Sequence, residues 1–141
     1  MFRPEKNQRE LIEIAAGLPE QFDWQLWLAG DGPARAACEQ LVADRKLSSR
    51  IKFLGFHRDP SVLYAAADLA VHASSSESLS NFLIEGQAHG LLAVAYEAQG
   101  IAECFVPGRT GWAILRGDQT AFRATLTRRM SEPASPRAER A

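Results

Sequence analysis

Two glutamates, Glu77 and Glu85, stand eight positions apart in the stretch SSSESLSNFLIEGQAHG, residues 74–90. The first lies among serines, the second inside an apolar run that predicts a helix starting near Ser78 or Ser80. A helix start exposes unpaired amides and the positive end of the local dipole, so residues 78–81 form an anion site suited to a phosphate. Carboxylates would repel that phosphate, but they accept hydrogen bonds well from paired hydroxyls. A ligand with a central diphosphate and a sugar at each end removes the conflict. Glu77, in the loop before the helix, takes one sugar. Glu85 lies about one turn in and leans back toward the helix N-terminus, so it takes the other, a ribose. Spacing alone leaves two further readings open. Glu77 is also a favourable charge beside a helix start, and Glu85 a solvated face residue. Two carboxylates also suit a glycoside hydrolase, but the sequence does not supply their separation.

The remaining residues with chemical potential are sparser. Lys6 is a cation near the start of the first helical pattern and, taken alone, reads as solvated. GDGPAR, residues 30–35, is not a dinucleotide fingerprint, because position 35 is Arg where a third glycine is needed. Gly30 and Gly32 read instead as a tight strand-to-helix turn. Cys38 and Cys104 have no metal or redox spacing and read as reduced thiols of a cytosolic protein, with Cys104 buried. His57, His72 and His89 show no ligand spacing; His57 reads as a surface residue, His72 and His89 as packing or surface residues. Trp24 and Trp27 read as core.

These residues need a scaffold, and the hydropathy pattern supplies one. QLWLAG (25–30), IKFLGF (51–56), DLAVHAS (68–74), LLAVAYE (91–97) and GWAIL (111–115) are short apolar runs without alternation. Such runs are buried on both faces, as in a parallel sheet. Helical patterns separate them. EKNQRELIEIAAGL places Leu11, Ile14, Ala15 and Leu18 on one stripe, and Gly17 weakens its last turn. GPARAACEQLVADRKL opens on Pro33, suited to a first turn. PSVLYAAA follows Asp59, a good N-cap. SNFLIEGQAHG ends by Gly90, GIAECFV is one short turn, and DQTAFRATLTRRM begins at Asp118 and ends in basic residues that suit a helix C-terminus. The alternation predicts an α/β fold, a Rossmann-like doubly wound parallel sheet. The pattern opens on a helix and lacks a first strand, which in such sheets is central. Two inner strands are then left without a shared neighbour.

With 141 residues and 46% hydrophobic content the chain makes one domain with a packed core. Residues 1–130 are expected to form it, and the proline- and charge-rich residues 131–141 a disordered tail. The net charge of −1 gives no electrostatic case for nucleic acid or an anionic membrane. Nothing near Met1 reads as a signal peptide, and no apolar run approaches the ~20 residues expected of a spanning helix.

The block ASSSESLSNFLIEGQAHGLLAVAYEAQGIAECFVPGRTGWAI resembles the donor-binding, C-terminal half of retaining GT-B glycosyltransferases of the family 4 type. Glu77 and Glu85 match that family's E-x7-E. PEKNQRELI resembles its K-N-Q segment, LWLAGDGP its G-x-G-P turn, IKFLGFHRD its V-x-F-L-G segment and VPGRTGWAI its D-G-x-T-G turn. Five weak motifs in family order, over about residues 1–128, make a strong one. The resemblance implies that Lys6 steadies the donor diphosphate, Glu77 contacts the donor sugar and Glu85 the ribose hydroxyls. It places Ser78, Leu79 and Ser80 in the loop facing the phosphates, though Ser80 is equally a plain N-cap, and Gly100 in a turn near the donor. It implies a nucleoside-diphosphate sugar as substrate, hexose transfer to a glycan or lipid-linked acceptor, no cofactor and no metal.

The sequence departs from the family pattern where a strand and an arginine would precede Lys6, and at Glu77-Ser78, Gly90-Leu91-Leu92 and Gln99-Gly100. The resemblance covers only the donor half, so a missing or separate N-terminal acceptor domain is implied, and the chain alone is expected to be inactive. The expected location is the cytoplasm, with the parent enzyme compatible with peripheral membrane association, and nucleic acid is not an expected partner. The alternative is a non-catalytic nucleotide-sugar binding or protein-interaction module.

Overall fold

In the computed structural model, residues 6–74 and 80–132 are described. The elements run α1 (Gln8–Ala16), β1 (Leu26–Ala29), α2 (Arg35–Asp44), β2 (Ile51–Gly55), α3 (Ser61–Ala66), β3 (Leu69–His72), α4 (Asn81–Ala88), β4 (Leu92–Tyr96), a 3-10 turn (Ala102–Cys104), β5 (Gly111–Ile114) and α5 (Gln119–Ser131). The five apolar runs each form a strand, and among the described residues the strand pairings are parallel. β3 lies against β4 from Leu69–Leu92 to His72–Ala95, and β4 against β5 from Ala93–Gly111 to Tyr96–Ile114.

Burial on both faces explains the unbroken hydrophobicity of β4. Ala93 and Ala95 face Leu83 of α4 and Tyr64 of α3. Val94 and Tyr96 face the opposite layer, built from Leu11 and Ile14 of α1 and Phe122 and Leu126 of α5. A separate core around Leu28, Cys38, Leu41 and Ile51 joins β1 and β2 to α1 and α2.

The sheet is split. β1 and β2 form one piece and β3, β4 and β5 another. The break falls where the sequence pattern lacks a strand. Helices hold the layer across it: Tyr96 donates to Glu10 of α1 at 2.7 Å, as does Gln119 of α5 at 3.0 Å. Arg123 of α5 donates to the carbonyls of Ile14 at 2.9 Å and Glu13 at 2.8 Å, covering the C-terminal carbonyls of α1.

Helix starts follow local chemistry. Ser80 caps α4 by accepting the Leu83 amide at 3.2 Å, and Asp118 caps α5 through the Ala121 amide at 3.0 Å. Asp59 accepts the Ser61 amide at 3.1 Å, one residue ahead of the Pro60 N-cap of α3. Pro33 stands in a turn and α2 begins at Arg35, because Gly30 and Gly32, at φ 105° and 147°, turn the chain before it.

Two expectations need correction. Trp27 is 38% exposed rather than core, and its indole N–H donates to the Gln25 side chain at 3.0 Å. Ser131, assigned to the tail, is the last residue of α5, its hydroxyl bonded to the Thr127 carbonyl at 2.7 Å. The segment GIAECFV forms the expected single short turn, a 3-10 turn of three residues. Residues 133–141 lie outside the described residues. Among those described, no helix is long and apolar enough to cross a membrane.

Candidate functional site

Ligands of doubly wound sheets bind beyond the carboxyl ends of the strands. Here that edge carries the end of β3 and the start of α4, joined by the serine-rich loop. Both anchors of that loop are fixed. Arg116, just past β5, donates to the Ser74 carbonyl at 3.2 Å and the Glu97 carbonyl at 2.8 Å, fastening the ends of β3 and β4 together. On the other side, Ser80 is 3% exposed, and its amide donates to Cys104 Sγ at 3.5 Å. The Cys104 thiol donates in turn to the Gly100 carbonyl at 3.2 Å. One buried sulfur thus ties the α4 start to the turn containing Gly100, whose φ of 78° suits glycine.

Lys6, His72, Ala73 and Ser80 border one cavity. That cavity is long and runs along the whole of β3, so Lys6 and Ser80 line the same hollow. Asn81 and Phe82 are the first residues of α4, where amides have no intrahelical acceptor. Glu77, Ser78 and Leu79 lie outside the described residues.

Glu85 is exposed on α4, and its Oε2 accepts the Tyr64 hydroxyl at 2.9 Å. Tyr64, on α3, is 8% exposed, lines the same cavity and stacks on His89 with ring centroids 5.0 Å apart. His89 Nδ1 donates to the Glu85 carbonyl at 2.9 Å. Burial first, then the bond to Glu85, then its charge, push the Tyr64 phenol well above its ordinary range. The phenol stays a donor at neutral pH and holds one carboxylate oxygen of Glu85. A carboxylate has further acceptor positions, so hydroxyls of a ligand remain within its capacity.

Sequence reasoning missed Tyr64, Arg116 and the bridging role of Cys104. Tyr64 sits in an apolar helical pattern, and the signal available was general: a buried phenol needs a partner. Arg116 gave only its place one step past a strand. His57 is exposed and His72 buried, as read.

Comparison with known proteins fits this geometry. The chain matches the family described as Glycosyl transferases group 1 over residues 1–132. It is 34% identical over 121 residues to a lipopolysaccharide core biosynthesis glycosyltransferase, LpsE, of Rhizobium meliloti, covering 86% of this chain and 35% of that protein. It is 32% identical over 119 residues to the N-acetyl-alpha-D-glucosaminyl L-malate synthase of Bacillus anthracis, covering 84% of this chain and 31% of that one. Among solved structures, Anabaena HepE in complex with UDP-glucose superposes with a TM-score of 0.84 at 29% identity, over 92% of this chain and 37% of HepE. The chain thus spans about a third of the length of the relatives it matches. Its parallel α/β architecture matches part of the GT-B glycosyltransferase fold. The chain belongs to the glycosyl transferases group 1 family.

Proposed function

We propose that this chain is the donor-binding part of a retaining glycosyltransferase that moves a hexose from a nucleoside-diphosphate sugar to a glycan or lipid-linked acceptor. The observation that carries the reading is that Lys6 and the capped start of α4 line one cavity, which runs along β3. The donor diphosphate sits on the α4 amides with Lys6 beside it. As the bond from the sugar to the diphosphate breaks, negative charge grows on the leaving group, and the fixed cation and amides stabilise it. Glu85, oriented by Tyr64, accepts the ribose hydroxyls, and Glu77 orients the donor sugar. In this reading positive charge comes from the protein, without a metal or cofactor.

HepE, a relative at 29% identity, is solved with UDP and with UDP-glucose, which supports a nucleotide sugar as ligand here. The acceptor and the groups that bind it belong to the polypeptide that longer relatives possess outside the matched stretch. The chain by itself is therefore inactive in transfer while still binding the nucleotide.

Calorimetric titration with UDP, ADP and GDP tests the reading. One of the three binds saturably, and Glu85→Gln weakens it more than Glu77→Gln, because the bare nucleotide carries a ribose but no donor sugar. Absence of binding by all three, or equal losses in the two variants, would overturn the assignment. Turnover of donor by the 141-residue chain with an added acceptor would overturn the claim of inactivity.

A further inference from the structure

Two loops leave the carboxyl edge of the sheet beside the proposed donor seat. One follows β3, starting at Ala73 and ending at Ser80; the other follows β4 and holds Glu97 and Gly100. Ladder pairing stops short of both. The last β3–β4 partners are His72 and Ala95, and the last β4–β5 partners are Tyr96 and Ile114. Carried two residues on, the same register sets Ser74 level with Glu97. The ladder no longer fixes the spacing of the chains there, and Arg116 does so instead. A single guanidinium nitrogen donates to the Ser74 carbonyl at 3.2 Å and to the Glu97 carbonyl at 2.8 Å. Ser74 is fully buried, so this bridge grips the root of its loop and not a surface fringe. The stem of Arg116 is fixed as well. Glu97 donates its amide to Ile114 at 2.8 Å, and Asp118 donates to the Leu115 carbonyl at 3.0 Å, closing a turn around Arg116. The same two loops are joined a second time, further out. Cys104 Sγ accepts the Ser80 amide at 3.5 Å and donates to the Gly100 carbonyl at 3.2 Å. The two ties stand six positions apart in one loop and three in the other.

We propose that Arg116 is a positioning residue for the donor: with Cys104 as the second tie, it holds the loops after β3 and β4 at the spacing that seats the phosphate farther from the ribose. This role rests on α4 as the seat of the donor diphosphate. Glu85, five positions past Ser80, holds the ribose from the body of α4. The outer phosphate then lies toward Ser80 and Gly100, the pair that Cys104 joins. Arg116 acts one step back from the ligand, through the carbonyls it holds. Arginine suits this task because its planar guanidinium presents donors in a fixed arrangement and keeps its charge at any working pH. Such support matters because a binding group about 1 Å out of place loses much of its grip.

The test uses the 141-residue chain, Arg116→Ala, Cys104→Ala and the double variant. Amide hydrogen exchange is measured first, without ligand. The Ser80 amide is bonded to Cys104 and the Ile101 amide to the Ala98 carbonyl at 3.1 Å, so each reports on one loop. Arg116→Ala should speed exchange at both by at least about fivefold and leave Phe122, in α5, within about twofold. Uniform acceleration along the chain, or none at Ser80, overturns the proposal. Titration then compares UDP with UMP, ADP with AMP and GDP with GMP. For the pair whose diphosphate binds, Arg116→Ala should lower the preference for the diphosphate by at least about threefold and keep monophosphate affinity within about twofold. Loss of a plain cation would also disfavour the diphosphate, so the uncharged Cys104 separates the two causes. Cys104→Ala should lower the same preference, and the double variant should lose no more than the larger single loss, because two ties on one pair of loops act as a unit. Additive losses, or an unchanged preference in Arg116→Ala, overturn the proposal. If the unmodified chain binds none of the diphosphates, the reading of α4 as the donor seat fails and the role of Arg116 fails with it. Binding by the unmodified chain with the preference unchanged in the variants strikes the role of Arg116 alone.

Discussion

The hydroxyl of Tyr64 on α3 donates to Glu85 on α4 at 2.9 Å, joining a buried ring to an exposed carboxylate. The bond holds the Glu85 side chain before any ligand arrives. If that orientation matters, Tyr64→Phe weakens nucleoside-diphosphate binding by about 1 kcal/mol, close to fivefold, the usual net worth of one hydrogen bond. The same change made in a Glu85→Gln background should cost less, because the two side chains act as a pair. A titration cycle of the four proteins measures this. Equal losses in both backgrounds would mean that Tyr64 acts through packing on His89 rather than through Glu85.

The chain has only two tyrosines, and both phenols are pushed above their ordinary range. Burial is the leading cause for each, followed by hydrogen bonding to Glu85 for Tyr64 and to Glu10 for Tyr96. In the unfolded chain a tyrosine ionises near pH ~10. The folded state therefore binds protons more tightly there, its stability is fully present below that pH, and stability falls as pH rises further. Absorbance of phenolate at alkaline pH should appear together with loss of structure, not before it. Phenolate formation near pH ~10 with circular dichroism unchanged would contradict the burial of both rings.

Arg123 reaches across the layer to carbonyls in the second half of α1, those of Glu13 and Ile14. Arg123→Ala should cost about 1–3 kcal/mol, the range for charged hydrogen bonds lost from a partly buried place. Denaturant unfolding gives the number. A loss below ~0.5 kcal/mol, typical of an unremarkable surface position, would show that α1 is held mainly by Leu11 and Ile14.

Gly111 opens β5 beneath the ring of buried Phe105, and a methyl group there would fall 2.3 Å from the ring. Gly111→Ala should destabilise by about 1–3 kcal/mol through overpacking. Adding Phe105→Leu, which removes the flat face, should recover part of the loss. A neutral single variant would mean the ring shifts freely.

Strands, their parallel pairing and the helix caps were legible in the sequence because each depends on nearby residues. Unbroken apolar runs such as LAVAY require burial on both faces, and Ser80 and Asp118 act on amides three residues away. The family was legible through the order of five short segments, which also singled out Lys6 and Glu85 as candidates by resemblance. Trp27 was misjudged because an indole in an apolar run reads as core.

Residue order by itself settled the α/β class and the positions of the elements, since these follow from periodicity and local hydrogen bonding. Only the tertiary structure decided that Tyr64 grips Glu85 across 21 positions, that Arg116 clamps Ser74 across 42, and that β1 and β3 line one cavity. Such contacts join residues far apart in the chain, and their partners are chosen by how the helices cross the sheet, which no short stretch of sequence encodes.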